Sequence, residues 1–164
     1  MSSMLKLLSP HFSYQNQLHI EQVPAADIAR EFGTPCYVYS ASHIRGQMRA
    51  LHEAFAKTLP ADKQPTFCYA TKANSNTNIL KLIKEEGGSL EIVSHGELHR
   101  GLKAGFKGSD IVMTGIGKQD DEIRACLEAG IKQLNLEAIE ELDTVNKIAG
   151  EQDAKAPVAF SLTP

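Results

Sequence analysis

Residues 66–76 read Thr66-Phe67-Cys68-Tyr69-Ala70-Thr71-Lys72-Ala73-Asn74-Ser75-Asn76. The β-branched and aromatic residues at its head predict a strand, and the polar run that follows predicts its end. One lysine stands at that end. By itself this has two readings. Lys72 is a solvated cation capping a strand, or it is an amine held at a strand tip in order to react. The neighbouring sequence decides between them.

On both sides the chain alternates in one rhythm. Cys36-Tyr37-Val38-Tyr39-Ser40 reads as a strand. From Ala41 to Lys57, Ile44, Met48, Leu51, Ala54 and Phe55 recur at helical spacing. After the strand 66–70 come a helix from Thr77 to Glu86, closed by Gly87-Gly88, and a strand Leu90–Ser94. The pattern continues with a helix Glu97–Ala104, a strand Asp110–Thr114, a helix Asp120–Ala129 and a strand Gln133–Glu137. A helix Ile139–Ala149, stopped by Gly150, and a strand Pro157–Leu162 complete it. Strands alternating with helices predict a parallel sheet, because each strand must return across a helix.

Two architectures fit this rhythm: a doubly wound open sheet, or part of a (β/α)₈ barrel. No Gly-x-Gly-x-x-Gly follows the first strand, which disfavours the first. Lys72, Ser94, Gly115, Gly117 and Glu137 all sit at or just beyond a strand's C-terminal end, the face that carries chemistry in barrels. Phe12 to Val23 alternates polar and apolar residues and reads as a strand of something else, followed by a short helix from Pro24 towards Gly33.

Composition excludes several classes. Apolar residues are 42% and charged residues 23% of the 164, ordinary for a globular domain with a core. The net charge of −3, without a basic run, gives no electrostatic footprint for nucleic acid. No apolar stretch approaches membrane-spanning length, and Met1–Leu8 is too short and too weakly basic for a signal peptide. The cytoplasm is therefore the expected compartment. Cys36, Cys68 and Cys126 are odd in number and far apart, as reduced core thiols are, and nothing has the spacing of a metal site.

Gly33-Thr34-Pro35-Cys36-Tyr37-Val38-Tyr39, Tyr69-Ala70-Thr71-Lys72-Ala73-Asn74-Ser75-Asn76, Glu91-Ile92-Val93-Ser94-His95-Gly96-Glu97-Leu98, Gly115-Ile116-Gly117-Lys118 and Asn135-Leu136-Glu137 arrive in that order, followed by Glu140-Glu141-Leu142. Together they resemble the diaminopimelate decarboxylases, in the barrel-fold family dependent on pyridoxal 5'-phosphate (PLP) that also contains ornithine and arginine decarboxylases. The resemblance runs from about Phe12 to Pro157. It implies an α/β fold: the N-terminal part of a PLP-binding (β/α)₈ TIM barrel, with about five of eight β/α units. Residues 1–35 would be an N-terminal segment with a strand of the family's separate β domain, and residues 36–164 the partial barrel.

The resemblance also implies roles. Lys72 would be the catalytic lysine that holds PLP as a Schiff base; its amine must lose its proton to attack an aldehyde. Glu91, Ser94 and Glu97 would join it in binding the cofactor. Glu91 stands where the family usually has Asp, a departure of one methylene. His95 stands where the group often has glycine, and reads as a turn residue. Gly115-Ile116-Gly117-Lys118 reads equally as a tight turn or a ligand contact.

The reaction implied is decarboxylation of meso-2,6-diaminopimelate to L-lysine and CO₂, the last step of lysine biosynthesis. Its substrate would be a small amino acid, and the full-length enzyme would be a homodimer. The family's downstream phosphate-binding and ring-binding segments do not occur here, and relatives continue past the strand 156–160 where this sequence reads Ser161-Leu162-Thr163-Pro164. The chain is thus expected to be the N-terminal PLP-binding part, and activity is not expected of these 164 residues alone. The alternatives are a non-catalytic remnant, half of a split enzyme, or a sister decarboxylase acting on ornithine, arginine or carboxynorspermidine.

Overall fold

The structure is a computed structural model of the chain and describes residues 11–161. The stretch read above against a signal peptide, and Leu162, the last residue of the strand expected at 157–162, lie outside the described residues. Contacts divide the chain into two compact units, Met1–Glu53 and Ala54–Pro164.

The first unit opens with three short antiparallel strands, β1 (Phe12–Gln15), β2 (Gln17–Ile20) and β3 (Val23–Pro24), in sheet order β1-β2-β3. The sequence reading of one strand over Phe12–Val23 is corrected here. Asn16 alone separates Gln15 from its partner Gln17, and it adopts φ 63°, a left-handed conformation that asparagine tolerates. Alternation of polar and apolar residues survives such a tight turn, so the pattern hides it.

Helix α1 (Ala25–Phe32) follows and stops at Gly33, whose amide closes on the Ala29 carbonyl at 3.0 Å. The Thr34–Pro35 peptide is cis. Cys36–Ser40, expected as a strand, belongs to neither sheet, and Tyr37 is 93% exposed. Its composition suits a pleated, half-buried surface, but a strand exists only where a neighbouring edge takes its hydrogen bonds.

Ser40 instead caps the long helix α2 (Ala41–Ala56), accepting the His43 amide at 3.0 Å. The Glu21 carboxylate joins the cap by accepting from the Ser40 hydroxyl, the Ser42 amide at 3.0 Å and the Ser42 hydroxyl at 2.8 Å. These bonds, Ser40's foremost, hold Glu21 below the usual carboxylate range.

The second unit carries five parallel strands: β4 (Cys68–Ala70), β5 (Ser89–Ile92), β6 (Ile111–Met113), β7 (Gln133–Leu136) and β8 (Val158–Phe160). Their order in the sheet is their order in the chain, β4-β5-β6-β7-β8. A doubly wound sheet reverses its order at a switch point, whereas a barrel wall adds strands consecutively. This is the barrel arrangement.

Helices α3 (Thr77–Glu85), α4 (His95–Lys103), α5 (Asp120–Glu128) and α6 (Glu140–Glu151) make the crossovers. Polar caps start three of them. Asn76 accepts from the Asn78 amide, Ser94 from the Glu97 amide, and Gln119 pairs with Glu122 in a capping box. Gly87, Gly105 and Gly130, all at positive φ, turn the chain out of α3, α4 and α5.

The apolar layer between sheet and helices is dry. Leu90, Ile92, Ile111, Leu134 and Leu136 from the strands meet Leu80 and Ile148 from the helices, each with no exposed surface. Each side chain of this kind contributes about 1.5–3 kcal/mol through removal from water. In β5 (Ser89-Leu90-Glu91-Ile92) and β7 (Gln133-Leu134-Asn135-Leu136) these fully buried residues alternate with polar ones, so one face of the sheet meets the helices and the other carries Glu91 and Asn135.

Helix α6 passes through Gly150 and ends at Glu151, one correction to the sequence reading that glycine stops it after Ala149. A Cβ on Gly150 would meet nothing within 4 Å. Gly150→Ala is therefore expected to raise unfolding free energy by about 0.5–1 kcal/mol, the helical preference of alanine over glycine, in a urea titration. A loss of stability would mean that the position is not helical in solution.

Candidate functional site

Lys72 lies in the short 3₁₀ turn Thr71–Ala73 that leaves the C-terminal end of β4. Its side chain is 62% exposed, and Nζ stands 3.7 Å from Oε1 of Glu91 on β5. That separation is an ion pair but longer than a hydrogen bond, so the amine is held near the acid without being clamped by it. The same Glu91 oxygen accepts a hydrogen bond from the Thr114 hydroxyl, just past β6.

Ser94 and Glu97 form a second pair, at the start of α4. The Ser94 hydroxyl accepts the Glu97 amide at 3.3 Å, and Glu97 Oε2 accepts the Val93 amide at 2.8 Å. This is a helix-capping arrangement in which the glutamate reaches one residue further back than usual. The four residues singled out from the sequence thus meet as two pairs, Lys72 with Glu91 and Ser94 with Glu97, at the ends of adjacent strands. His95 opens α4, and its amide donates to Glu122 at 3.1 Å.

The segment Gly115-Ile116-Gly117-Lys118 forms a turn. Gly115 and Gly117 take φ 95° and 70°, conformations open to glycine, and Lys118 Nζ folds back onto the Gly115 carbonyl at 2.5 Å. Lys118 also meets Glu141 Oε2 at 3.2 Å, and its side chain is 2% exposed. Burial pushes the Glu141 carboxyl up. The Glu137 amide, at 2.8 Å, and the Lys118 ammonium outweigh that and hold it below the usual range. A buried lysine needs such a partner, since an unpaired buried charge is costly.

The roles of four residues went unread in the sequence. Thr114 gave a signal only in standing directly after a strand. Lys118 and Glu141 lay inside quoted motifs without being paired. Thr71 is fully buried, and its hydroxyl has no hydrogen-bond partner among the described residues. An unsatisfied buried hydroxyl costs about 1–3 kcal/mol. Thr71→Val, of nearly the same shape, is expected to stabilise the chain by about 1 kcal/mol in a thermal or urea melt. Destabilisation would reveal a water or ligand already using that hydroxyl.

The thiols divide by burial. Cys36 and Cys68 are exposed, whereas Cys126 is buried against the Met113 sulfur at 3.3 Å, and burial pushes its thiol up to about 12. Burial raises the Cys68 thiol as well, so a disulfide reagent at mildly alkaline pH is expected to titrate Cys36 first, Cys68 more slowly and Cys126 only after denaturant. Rapid loss of all three thiols would show that the core opens readily. Among the described residues no group of three or more His, Cys, Asp or Glu side chains is placed to hold a metal ion, and no helix is long and apolar enough to cross a membrane.

The consecutive parallel sheet is the arrangement of a barrel wall, with Lys72 just past β4 and Glu91 in β5, and comparison with known proteins gives the chain's class. Residues 43–161 match the pyridoxal-binding domain of the pyridoxal-dependent decarboxylases, and the chain belongs to that family. It is 42% identical over 156 residues to the diaminopimelate decarboxylase of Vibrio cholerae, and 41% identical over 154 residues to that of Pseudomonas aeruginosa. These alignments take in 94% and 93% of this chain but 36% of each relative, so the chain spans about a third of their length.

Among solved structures it is similar to the diaminopimelate decarboxylase of M. jannaschii, with a TM-score of 0.89 and 32% identity. That match covers 96% of this chain and 37% of the other. The same enzyme solved with L-lysine gives a TM-score of 0.85 at 31% identity, over 92% of this chain and 35% of that one.

Proposed function

We propose that this chain is the PLP-holding part of a diaminopimelate decarboxylase, which removes CO₂ from meso-2,6-diaminopimelate to leave L-lysine. The observation that carries the reading is Lys72 at the mouth of a consecutive parallel sheet, exposed and paired loosely with Glu91. The residues present suit the aldehyde end of the cofactor. An exposed amine is open to an incoming carbonyl, and the nearby Glu91 carboxylate offers that amine a counter-charge without clamping it. On this reading residues 1–35 belong to the whole protein's β domain and residues 36–164 to its barrel.

Each residue then has a task. Lys72 would hold the cofactor through Nζ and, whenever that amine is free, would be placed to carry a proton at the site. Glu91 keeps the freed ammonium close to its starting point. Ser94 and Glu97 fix the first turn of α4 beside the site, where they can meet the cofactor. PLP, when bound, supplies an electron sink for the pair left as the Cα–carboxylate bond breaks. The activity, the small amino-acid substrate, a homodimeric state and a cytoplasmic location are proposed for the whole protein.

The test begins with the chain itself. It is mixed with PLP, reduced with borohydride, and read by intact mass and peptide mapping. A single pyridoxal adduct on Lys72 supports the reading. Adducts scattered over exposed lysines, with Lys72 no richer than the others, would defeat it. Release of CO₂ from meso-diaminopimelate, compared with ornithine and arginine, then tests the substrate on the whole protein.

A further inference from the structure

The parallel register puts three residues in a row. Ala70 on β4 pairs with Glu91 on β5, and Glu91 pairs with Val112 on β6. Lys72 lies two positions past Ala70, and Thr114 two positions past Val112. Thr114, whose amide continues the ladder, keeps the two-residue period of the strand and shares a face with Val112, whereas Lys72 lies in the 3₁₀ turn past β4 and is placed by its ion pair with Glu91. Lys72 and Thr114 flank Glu91 from beyond the ends of its two neighbouring strands. The Glu91 side chain meets both. One oxygen, Oε1, both accepts the Thr114 hydroxyl and faces Lys72 Nζ at 3.7 Å.

The geometry points to Thr114 as a positioning residue that holds the Glu91 carboxylate against Lys72. This rests on the reading of Lys72 as the cofactor lysine and deepens it. Glutamate has three rotatable bonds and a half-open setting, so without a second anchor its carboxylate would sample many positions, most of them away from Lys72. A hydroxyl on the opposite strand selects one. The same geometry gives the glutamate a use: its extra methylene, relative to aspartate, carries the carboxylate along the strand direction to where the flanking side chains converge. Thr114 itself is kept in place because its amide continues the ladder, donating to the Ile92 carbonyl at 2.9 Å.

The test reads the freedom of the Lys72 amine without any cofactor. The chain and its Thr114→Val, Thr114→Ser and Glu91→Ala variants are labelled with formaldehyde and borohydride, and the methylation rate at each lysine is followed by peptide mass spectrometry. Thr114→Val is expected to speed labelling of Lys72 by about threefold, the scale of a partly exposed ion pair, with Thr114→Ser near the parent rate. In a Glu91→Ala background Thr114→Val should add nothing.

An unchanged or slower Lys72 rate in Thr114→Val overturns the inference, as does an acceleration that persists without Glu91 or that serine fails to reverse. The buried Lys118 labels only if the fold opens, so it flags an unfolded variant, for which Thr114→Ala is substituted. Formaldehyde needs no cofactor site. The outcome is thus independent of whether PLP adds to Lys72, which the borohydride adduct reports separately.

Discussion

Lys72→Ala is expected to gain no pyridoxal adduct at position 72 after treatment with PLP and borohydride. In the whole protein it should lower decarboxylation by at least about a thousandfold, the scale for losing a group that both bonds to the reactant and moves a proton. Lys72→Arg sharpens the result. Arginine keeps the positive charge beside Glu91 but cannot form an imine, so an ion pair alone would be preserved. Equal loss in both variants assigns the effect to the amine's chemistry. Retention of adduct yield and of turnover in either one would remove Lys72 from the mechanism.

The second large effect is on stability and lies away from the site. Gly108 is buried in the 3₁₀ turn Gly108–Asp110 that leads into β6. A Cβ there would overlap the Ala129 carbonyl oxygen, and would lie 2.6 Å from the Ala129 carbonyl carbon and 2.8 Å from that of Gly130. These are backbone atoms, so no side-chain rotation relieves the clash. They are also held in place, because the Lys132 amide donates to the Gly108 carbonyl at 3.1 Å and to that of Ile111 at 2.9 Å.

Gly108→Ala is expected to cost about 3 kcal/mol or more, visible as a large fall in the urea midpoint or as loss of a cooperative transition. Gly150→Ala, with open space around its Cβ, moves the other way. The same substitution thus has opposite signs at two glycines, decided by what a methyl group meets. A Gly108→Ala chain as stable as its parent would show that the turn 129–130 yields far more easily than its hydrogen bonds imply.

Much of the second unit was legible in the sequence because local signals agreed with one another. Apolar runs of strand length, helical periodicity between them, and glycines at 87, 105 and 130 all pointed to the same β/α rhythm. Where a single signal stood alone it misled. Cys36–Ser40 has strand composition, yet pairing is a property of two segments. Gly150 resembled a stop, yet about 1 kcal/mol of lost propensity does not end a helix whose Val145, Ile148 and Ala149 are buried.

At the site, Lys72 drew attention because it stands at a strand end, whereas Glu91 came only through the resemblance to the decarboxylases; the structure sets the two 3.7 Å apart. The capping role of Ser94 and Glu97 was partly visible in their spacing. Thr114 was not, because its partner is set by register across two strand boundaries, and one sequence carries no register until the sheet order is known.

The order β4-β5-β6-β7-β8 also bears on how the chain is made. Each new strand pairs with the one synthesised just before it, across a crossover already complete. No strand has to wait for a segment still inside the ribosome. Such a sheet can be laid down one strand at a time during translation, N-terminal part first, with loop-closure costs kept to neighbouring segments. Every newly added strand passes one open edge to the next, while the outer edge of β4 has no partner strand among the described residues, so one exposed edge moves along with synthesis and the other stays where the sheet began.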